Sequence, residues 1–109
     1  MVLIDSGRTH NFVHKRVVEV VRCFVKAVSN FQVLIIDGRT IKCEGRCEII
    51  KLQMGYYHLK THMFAIEMGG CDIVLGAIWI HTLVTIIMEF HELYVSFKQN
   101  NHTYKLRRL

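Results

Sequence analysis

The first candidate for chemistry in this sequence is an aspartate at the end of an apolar run. Val2–Ile4 has the residue types of a buried β-strand, and it leads directly into Asp5, Ser6 and Gly7. A carboxylate is costly to bury unless hydrogen bonds satisfy it, whereas aspartate, serine and glycine are all common in turns. The stretch is therefore either an ordinary turn at a strand end or a loop that holds a carboxylate for acid–base chemistry.

A second short apolar run that ends in glycine lies in the second half of the chain. Residues 69–76 are Gly-Gly-Cys-Asp-Ile-Val-Leu-Gly, and Trp79 follows shortly after. Between the two runs, the strand-like residues 31–36 and 39–43 flank an Asp-Gly pair. Asp-Gly between two such runs predicts a tight β-hairpin, because both turn positions tolerate a positive φ.

Together these motifs resemble the retropepsin-like aspartic protease domain, and most closely the protease region of Gag-Pol polyproteins from plant gypsy-type LTR retrotransposons. That family carries Asp-Ser-Gly-Ala-Thr-His-Asn-Phe, which residues 5–12 match except at Arg8. It also carries Cys-x-Gly-x-Cys, which residues 43–47 match, and Gly-Gly-Cys-Asp-Val-Val-Leu-Gly followed by tryptophan, which residues 69–79 match. The motifs occur in the family's order and cover nearly the whole chain.

The resemblance implies one domain over residues 1–109, with an all-β, retropepsin-like closed barrel, a flap hairpin and one or two short helices. Only four residues precede Asp5, so most of the family's first strand is expected to be missing. The residue patterns themselves predict a helix at 13–28, where apolar residues recur near the 3.6 period, and two helical turns at 77–83. Further strands are predicted at residues 47–54, 56–67, 85–89, 93–97 and 103–106, with a turn at Asn100 and Asn101.

The resemblance also implies a role for each part of the site. Asp5 would be the catalytic residue, facing Asp5 of a second copy. Two carboxylates at such short distance share one proton. The ionised carboxylate then activates water, and the protonated one protonates the peptide carbonyl. Ser6, Gly7 and Thr9 would support this loop. The flap that covers the substrate would be formed by Ile36, Asp37 and Gly38, and the structural support under the loop by Ile73, Val74, Leu75 and Gly76.

The implied function is an aspartic endopeptidase that cleaves a retrotransposon polyprotein as a homodimer, with a polypeptide substrate and no cofactor. We expect a cytoplasmic location, or one in virus-like particles, with the four cysteines reduced. No membrane contact is expected, because no uncharged apolar run reaches about 18 residues. The net charge is +5, and the basic residues 105–109 are expected to be a solvated end rather than a nucleic-acid site.

Two departures from the family leave a second interpretation open. Arg8 stands where the family has a small residue, and its cation would stabilise ionised Asp5 and oppose the shared proton. Residues 88–90 are Met-Glu-Phe where the family has Trp-Asp-Phe. The alternative is an inactive retropepsin-like domain that serves as a dimerisation or interaction module, with Asp5 as a structural turn residue.

A zinc site is the third interpretation. Cys43 and Cys47, followed by His58 and His62, imitate the ligand spacing of a zinc finger. If residues 56–67 form a strand, however, the two histidines lie about 13 Å apart, at about 3.3 Å per residue. Such a separation cannot close a tetrahedral site, so no metal is expected. The cysteines lie in apolar surroundings and are not expected to act as nucleophiles.

Overall fold

A computed structural model describes residues 1–27, 32–34, 40–43, 45–67 and 69–107. The described part of the chain is mostly β-strand, as predicted. It contains no helix long and apolar enough to span a membrane. Its elements are β1 (Val2–Ile4), β2 (Phe12–His14), α1 (Lys15–Val21), β3 (Val25–Lys26), β4 (Gln32–Leu34), β5 (Thr40–Lys42), β6 (Gly45–Met54), β7 (Tyr57–Ile66), β8 (Ile73–Leu75), α2 (Ala77–Ile80), β9 (Thr85–Glu89), β10 (Tyr94–Gln99) and β11 (His102–Arg107).

In the described part of the chain, the strands form three separate sheets. One has the order β1-β8-β2-β7-β6-β3, the second β11-β10-β9, and the third β4-β5. The prediction of a closed barrel is therefore wrong for the described residues. Closure requires strand pairing all the way round. The large sheet instead ends in β1 and β3, which are only three and two residues long and do not pair with each other.

The longest ladder joins β6 to β7, ten residues each, through a turn at Gly55 with a φ of 58°. Both strands lie close to the predicted bounds. Tyr57 on the inner face of β7 lies in a cluster of T-shaped ring contacts with Trp79, Phe97 and Tyr104. Because Phe97 and Tyr104 belong to the three-stranded sheet, this aromatic cluster packs that sheet against the large one.

The helix predicted over residues 13–28 is much shorter in the structure. Its first two predicted positions belong to β2, which pairs with β7 in parallel and with β8 antiparallel. The helix α1 ends where Arg22 adopts the left-handed conformation, at a φ of 53°, and β3 begins at Val25. Valine is a poor helix former, and only Val18 of the helix is buried. The apolar period in this region therefore combined a buried strand with a short helix of about two turns.

The hairpin predicted in the middle of the chain is confirmed as an antiparallel pair, in which Leu34 of β4 lies opposite Thr40 of β5. Its predicted turn at Ile36, Asp37 and Gly38 lies outside the described residues. The turn at Asn100 and Asn101 is also confirmed, with φ angles of 52° and 63° that suit a tight hairpin. The hydrogen bonds from Thr82 N to Trp79 O and from Leu83 N to Ile80 O continue α2 for a second turn.

Candidate active site

The carboxylate of Asp5 is positioned by the parallel pairing of β1 with β8. In that register Ile4 lies opposite Leu75, and the Asp5 amide continues the ladder by donating to the Leu75 carbonyl at 3.0 Å. The backbone of Asp5 is thus an extension of the sheet. Because β8 is buried along its whole length, the strand that holds Asp5 in place is itself fixed by the core.

The loop after Asp5 closes on the aspartate itself. The Gly7 amide donates to Asp5 Oδ1 at 2.9 Å, and the Arg8 amide donates to the Asp5 carbonyl at 3.2 Å. A Cβ at Gly7 would lie 3.1 Å from Oδ1, which is closer than most side chains tolerate. Glycine at this position therefore allows the backbone to approach the carboxylate and orient it. Ser6 lies exposed in the turn.

The second glycine motif packs directly against this loop. A Cβ at Gly76 would lie 2.3 Å from the His10 carbonyl oxygen and 2.7 Å from that of Arg8. The same contact continues into α2, because the Arg8 and Thr9 carbonyls accept from the amides of Ala77 and Ile78 at 2.7 and 2.9 Å. Ile73, Val74, Leu75 and Gly76 are all buried, and together they form the surface on which the Asp5 loop lies.

Asn11 joins the two motifs, and sequence reasoning gave it no role. Its side chain is 3% exposed, and its Oδ1 accepts from the Gly76 amide at 2.9 Å. The sequence places a polar residue directly before the apolar strand β2, but the burial of Asn11 and its partner at Gly76 follow only from the folded chain. The residues expected in the flap, Ile36, Asp37 and Gly38, cannot be compared with this site because they lie outside the described residues.

The charge beside Asp5 comes from Arg8. The Nε atom of Arg8 lies 3.6 Å from Asp5 Oδ2, and the two side chains are 19% and 23% exposed. Arg8 therefore points toward the carboxylate and not into solvent. One Oδ atom of Asp5 is thus bound to the Gly7 amide, and the other faces the guanidinium of Arg8.

The residues considered for zinc do not converge. Cys47 is fully buried and lies opposite Met63 on the inner face of the β6–β7 ladder. His58 and His62 both lie on β7, at alternate positions that face outward. Within the described ranges, no group of three or more His, Cys, Asp or Glu side chains is arranged to hold a metal ion.

The cysteines are free thiols, and three of the four are buried. Burial, followed by a hydrogen bond with the Cys23 thiol and the proximity of Cys23 and Cys43, raises the pKa of Cys47 to about 12. Burial likewise raises the pKa of Cys71. A thiol that stays protonated is a poor nucleophile, so neither group suits covalent catalysis.

A family model described as retroviral aspartyl protease matches residues 1–103. The chain therefore belongs to the retroviral aspartyl protease family. The crystal structure of the retroviral protease-like domain of Ddi1 from Leishmania major is similar, with a TM-score of 0.64 and 13% identity over 99% of this chain and 82% of that one. At that identity the likeness concerns the fold alone. No curated protein matches the chain in sequence.

Proposed function

We propose that this chain is one subunit of an aspartic endopeptidase whose active site is formed by Asp5 from two copies. The observation that carries the proposal is the orientation of the Asp5 carboxylate. The sheet holds its backbone through Leu75, and the Gly7 amide holds its Oδ1. Membership of the retroviral aspartyl protease family indicates peptide hydrolysis by carboxyl groups, and the Asp5 carboxylate is a group suited to that chemistry.

The proposed reaction needs two carboxylates that share one proton. The ionised carboxylate accepts a proton from water, and the oxygen of that water attacks the peptide carbonyl carbon. The protonated carboxylate donates its proton to the carbonyl oxygen, which gives a neutral tetrahedral intermediate. The first carboxyl then gives the proton that it took from water to the amide nitrogen as the C–N bond breaks, and the second carboxylate takes a proton from a hydroxyl of the intermediate. Because each chain supplies one Asp5, the site is complete only in a dimer with twofold symmetry.

Besides the two Asp5 loops, which must meet at the twofold axis, we propose that the edge of the three-stranded sheet at β9 contacts the second copy. In the described part of the chain β9 pairs only with β10, so its other edge is open. Exposed apolar side chains line this strand and its flanks, with Val84 78%, Ile87 56% and Phe90 81% exposed. An open edge with apolar side chains favours strand addition by a partner. The basic end of β11, in contrast, would place like charges together.

The substrate that we propose is a polyprotein of a plant gypsy-type retrotransposon, with a location in the cytoplasm or in virus-like particles. The origin is supported by the matches at residues 5–12, 43–47 and 69–79. The location is supported by the four free cysteines, which are typical of proteins in reducing compartments. We include neither a cofactor nor a nucleic acid in the proposal.

A second candidate function is an inactive domain that serves only as a dimerisation module. The observation that favours it is the Arg8 guanidinium beside Asp5, since a fixed cation opposes the protonated carboxyl that the reaction requires. Both candidates share the fold and the dimer. They differ in whether Asp5 takes part in peptide cleavage.

The test is cleavage of an unfolded protein by the purified chain across pH 4 to 7. Asp5→Asn preserves the size of the side chain but cannot accept the proton from water, so we expect it to abolish cleavage. Glu92→Gln makes the same carboxyl-to-amide change at an exposed turn and should leave the rate unchanged. Cleavage that persists in Asp5→Asn would refute the enzyme proposal, and absence of cleavage in the unaltered chain would favour the dimerisation module.

A further inference from the structure

A cavity of about 420 Å³ lies between β7 on one side and α2 with the turn between β10 and β11 on the other. None of the residues from Asp5 to Gly7 lines it, so it is separate from the candidate active site. On the β7 side, every residue from His58 to His62 lines the cavity. A cavity over one face of a sheet would meet only alternate residues of a strand, because successive side chains point to opposite faces. This cavity therefore lies along the edge of β7.

The edge of β7 that borders the cavity is the one toward β2, since β6 pairs with the other edge. Phe64 N donates to Asn11 O at 3.0 Å, at the point where β2 begins to pair with β7. Alternate residues of a strand direct their N–H and C=O groups to the same edge, so those of His58, Lys60 and His62 point to this side as well. Among the described residues, no backbone hydrogen bond from outside the β6–β7 ladder reaches these three residues. This length of β7 is therefore an open edge.

Basic side chains follow the open edge on one face of the sheet. His58, Lys60 and His62 occupy alternate positions and so share a face, and Lys51 of β6 lies directly opposite Lys60. Like charges directly opposite each other destabilise a sheet, and among the described residues neither lysine forms an ion pair. At about 3.3 Å per residue the row spans about 13 Å, which is too long for one ion. It matches the spacing of alternate side chains in an extended peptide, about 6.6 Å.

Acidic side chains of the chain itself do not occupy this edge. Among the described residues that line the cavity there is no Asp or Glu. Glu48 on β6 interacts electrostatically with His62, but its carboxylate accepts from Arg46 Nη2 at 2.8 Å, so its charge is already offset. The opposite wall is held by a hydrogen bond of 2.8 Å from Gln99 Nε2 to Thr82 Oγ1. The cavity thus combines an open strand edge, a row of basic side chains and a fixed opposite wall.

We propose that this open edge of β7 binds an extended segment of a partner protein that carries acidic residues at alternate positions. Backbone hydrogen bonds to His58, Lys60 and His62 add the segment to the sheet as a short strand. Its carboxylates lie beside the basic row, because alternate side chains of the added strand share that face. A second copy of this chain does not fit, since no two of its nine acidic residues are separated by a single position. The proposal does not depend on proteolysis.

The test is hydrogen–deuterium exchange of the labelled chain, followed by amide NMR, with a capped peptide of sequence Thr-Glu-Thr-Glu-Thr-Glu-Thr. With about nine-tenths of the chain bound, exchange at the amides of His58, Lys60 and His62 should slow about tenfold, because these amides gain a partner. The amides of Leu59 and Thr61, which point to β6, should change little. Binding that leaves the alternate amides unchanged would overturn the proposal. Slowing that appears without peptide as the chain is concentrated would also overturn it, since the edge would then pair with a second copy.

Matched controls separate strand addition from general attraction between charges. The peptide Thr-Thr-Glu-Glu-Glu-Thr-Thr has the same composition without the alternate spacing, and it should bind about fivefold more weakly. In the chain, Lys60→Gln should weaken binding of the alternating peptide about fivefold, since an ion pair of up to about 1 kcal/mol is lost. Lys26→Gln makes the same change at an exposed position of β3, at the far edge of the large sheet, and should leave affinity within about twofold. His62→Gln provides a second test if Lys60→Gln alters the fold. Equal affinity of the two peptides, or equal loss in the two lysine variants, would overturn the proposal.

Discussion

Arg8 holds its Nε atom 3.6 Å from Oδ2 of Asp5, and both side chains are less than a quarter exposed. This contact joins the residue on which the proposed reaction depends to the residue at which the chain departs from its family's motif. It is local, since the Arg8 amide also donates to the Asp5 carbonyl. The guanidinium is thus fixed beside the carboxylate by the same turn that forms the loop.

We predict that Arg8→Ala increases the rate of peptide cleavage. Without the cation, the pair of Asp5 carboxylates can hold the shared proton more easily. A partly buried ion pair is worth about 1 kcal/mol, and we therefore expect the cleavage rate to rise about fivefold. The measurement is kcat/KM on an unfolded protein substrate. Arg8→Lys keeps the charge and serves as the control. A rate in Arg8→Ala equal to that of the unaltered chain would show that the guanidinium does not oppose catalysis.

The contact of Gly76 with the Asp5 loop gives a prediction about stability. In Gly76→Ala the new Cβ would meet the backbone oxygens of His10 and Arg8, which cannot move without shifting the loop. We expect a loss of about 3 kcal/mol in the free energy of unfolding. Gly69→Ala is the matched control, because a Cβ there has no neighbour within 4 Å. Urea denaturation measures both, and equal stability of the two variants would contradict the packing described here.

The buried hydrogen bond between two aromatic residues gives a second prediction about stability. Trp79 Nε1 donates to the Tyr57 hydroxyl at 2.9 Å, and both side chains are at most 2% exposed. Tyr57→Phe would leave the indole donor without its partner, at a cost of about 1–3 kcal/mol. Tyr56→Phe removes a hydroxyl that is exposed to solvent and should be neutral. Thermal unfolding of the two variants distinguishes them, and identical melting temperatures would refute the prediction.

The raised pKa of Cys47 predicts a pH dependence. Burial, followed by the contact with Cys23, raises the pKa of the Cys47 thiol from 9.0 to about 12. Between pH 9 and pH 12, therefore, this thiol is deprotonated in the unfolded chain and protonated in the folded chain. The stability from this group is complete below pH 9 and decreases as the pH rises toward 12. In Cys47→Ala we expect a smaller decrease in stability over that range. The measurement is denaturant unfolding at pH 8 and pH 10.

The same thiol should also resist alkylation in the folded chain. At pH 9 we expect iodoacetamide to modify the partly exposed Cys23 before Cys47, as measured by mass spectrometry. Modification of Cys47 should require unfolding. Equal rates for the two cysteines under native conditions would contradict the burial of Cys47.

The sequence predicted most strands because they have local signals. The glycine turn after Met54 and the paired asparagines at residues 100 and 101 define their hairpins without help from the rest of the chain. The helix near residue 13 was overestimated because β2 is inserted between β7 and β8, and that pairing outweighs local periodicity. The prediction of a closed barrel was wrong for a similar reason. The lengths of β1 and β3, the edge strands of the large sheet, depend on pairing with distant parts of the chain and not on local sequence.

The candidate site was predicted in part. Motif matching selected Asp5 and the run that ends at Gly76, because both have distinctive neighbours in sequence, and the structure places the two in contact. Their roles in catalysis stay predictions. The role of Asn11 depends on a hydrogen bond across 65 positions of the chain, which no local pattern reveals. The orientation of Arg8 was equally undetermined, since an arginine in an exposed turn can extend into solvent.

If Asp5 from two chains forms one active site, two chains together should bind one molecule of a transition-state analogue. A statine-containing peptide mimics the tetrahedral intermediate, and it should bind across both carboxylates. Calorimetric titration should show one inhibitor for two chains, with no binding by Asp5→Asn. Binding of one inhibitor to each chain, or binding that survives in Asp5→Asn, would show that the two Asp5 carboxylates do not form one active site.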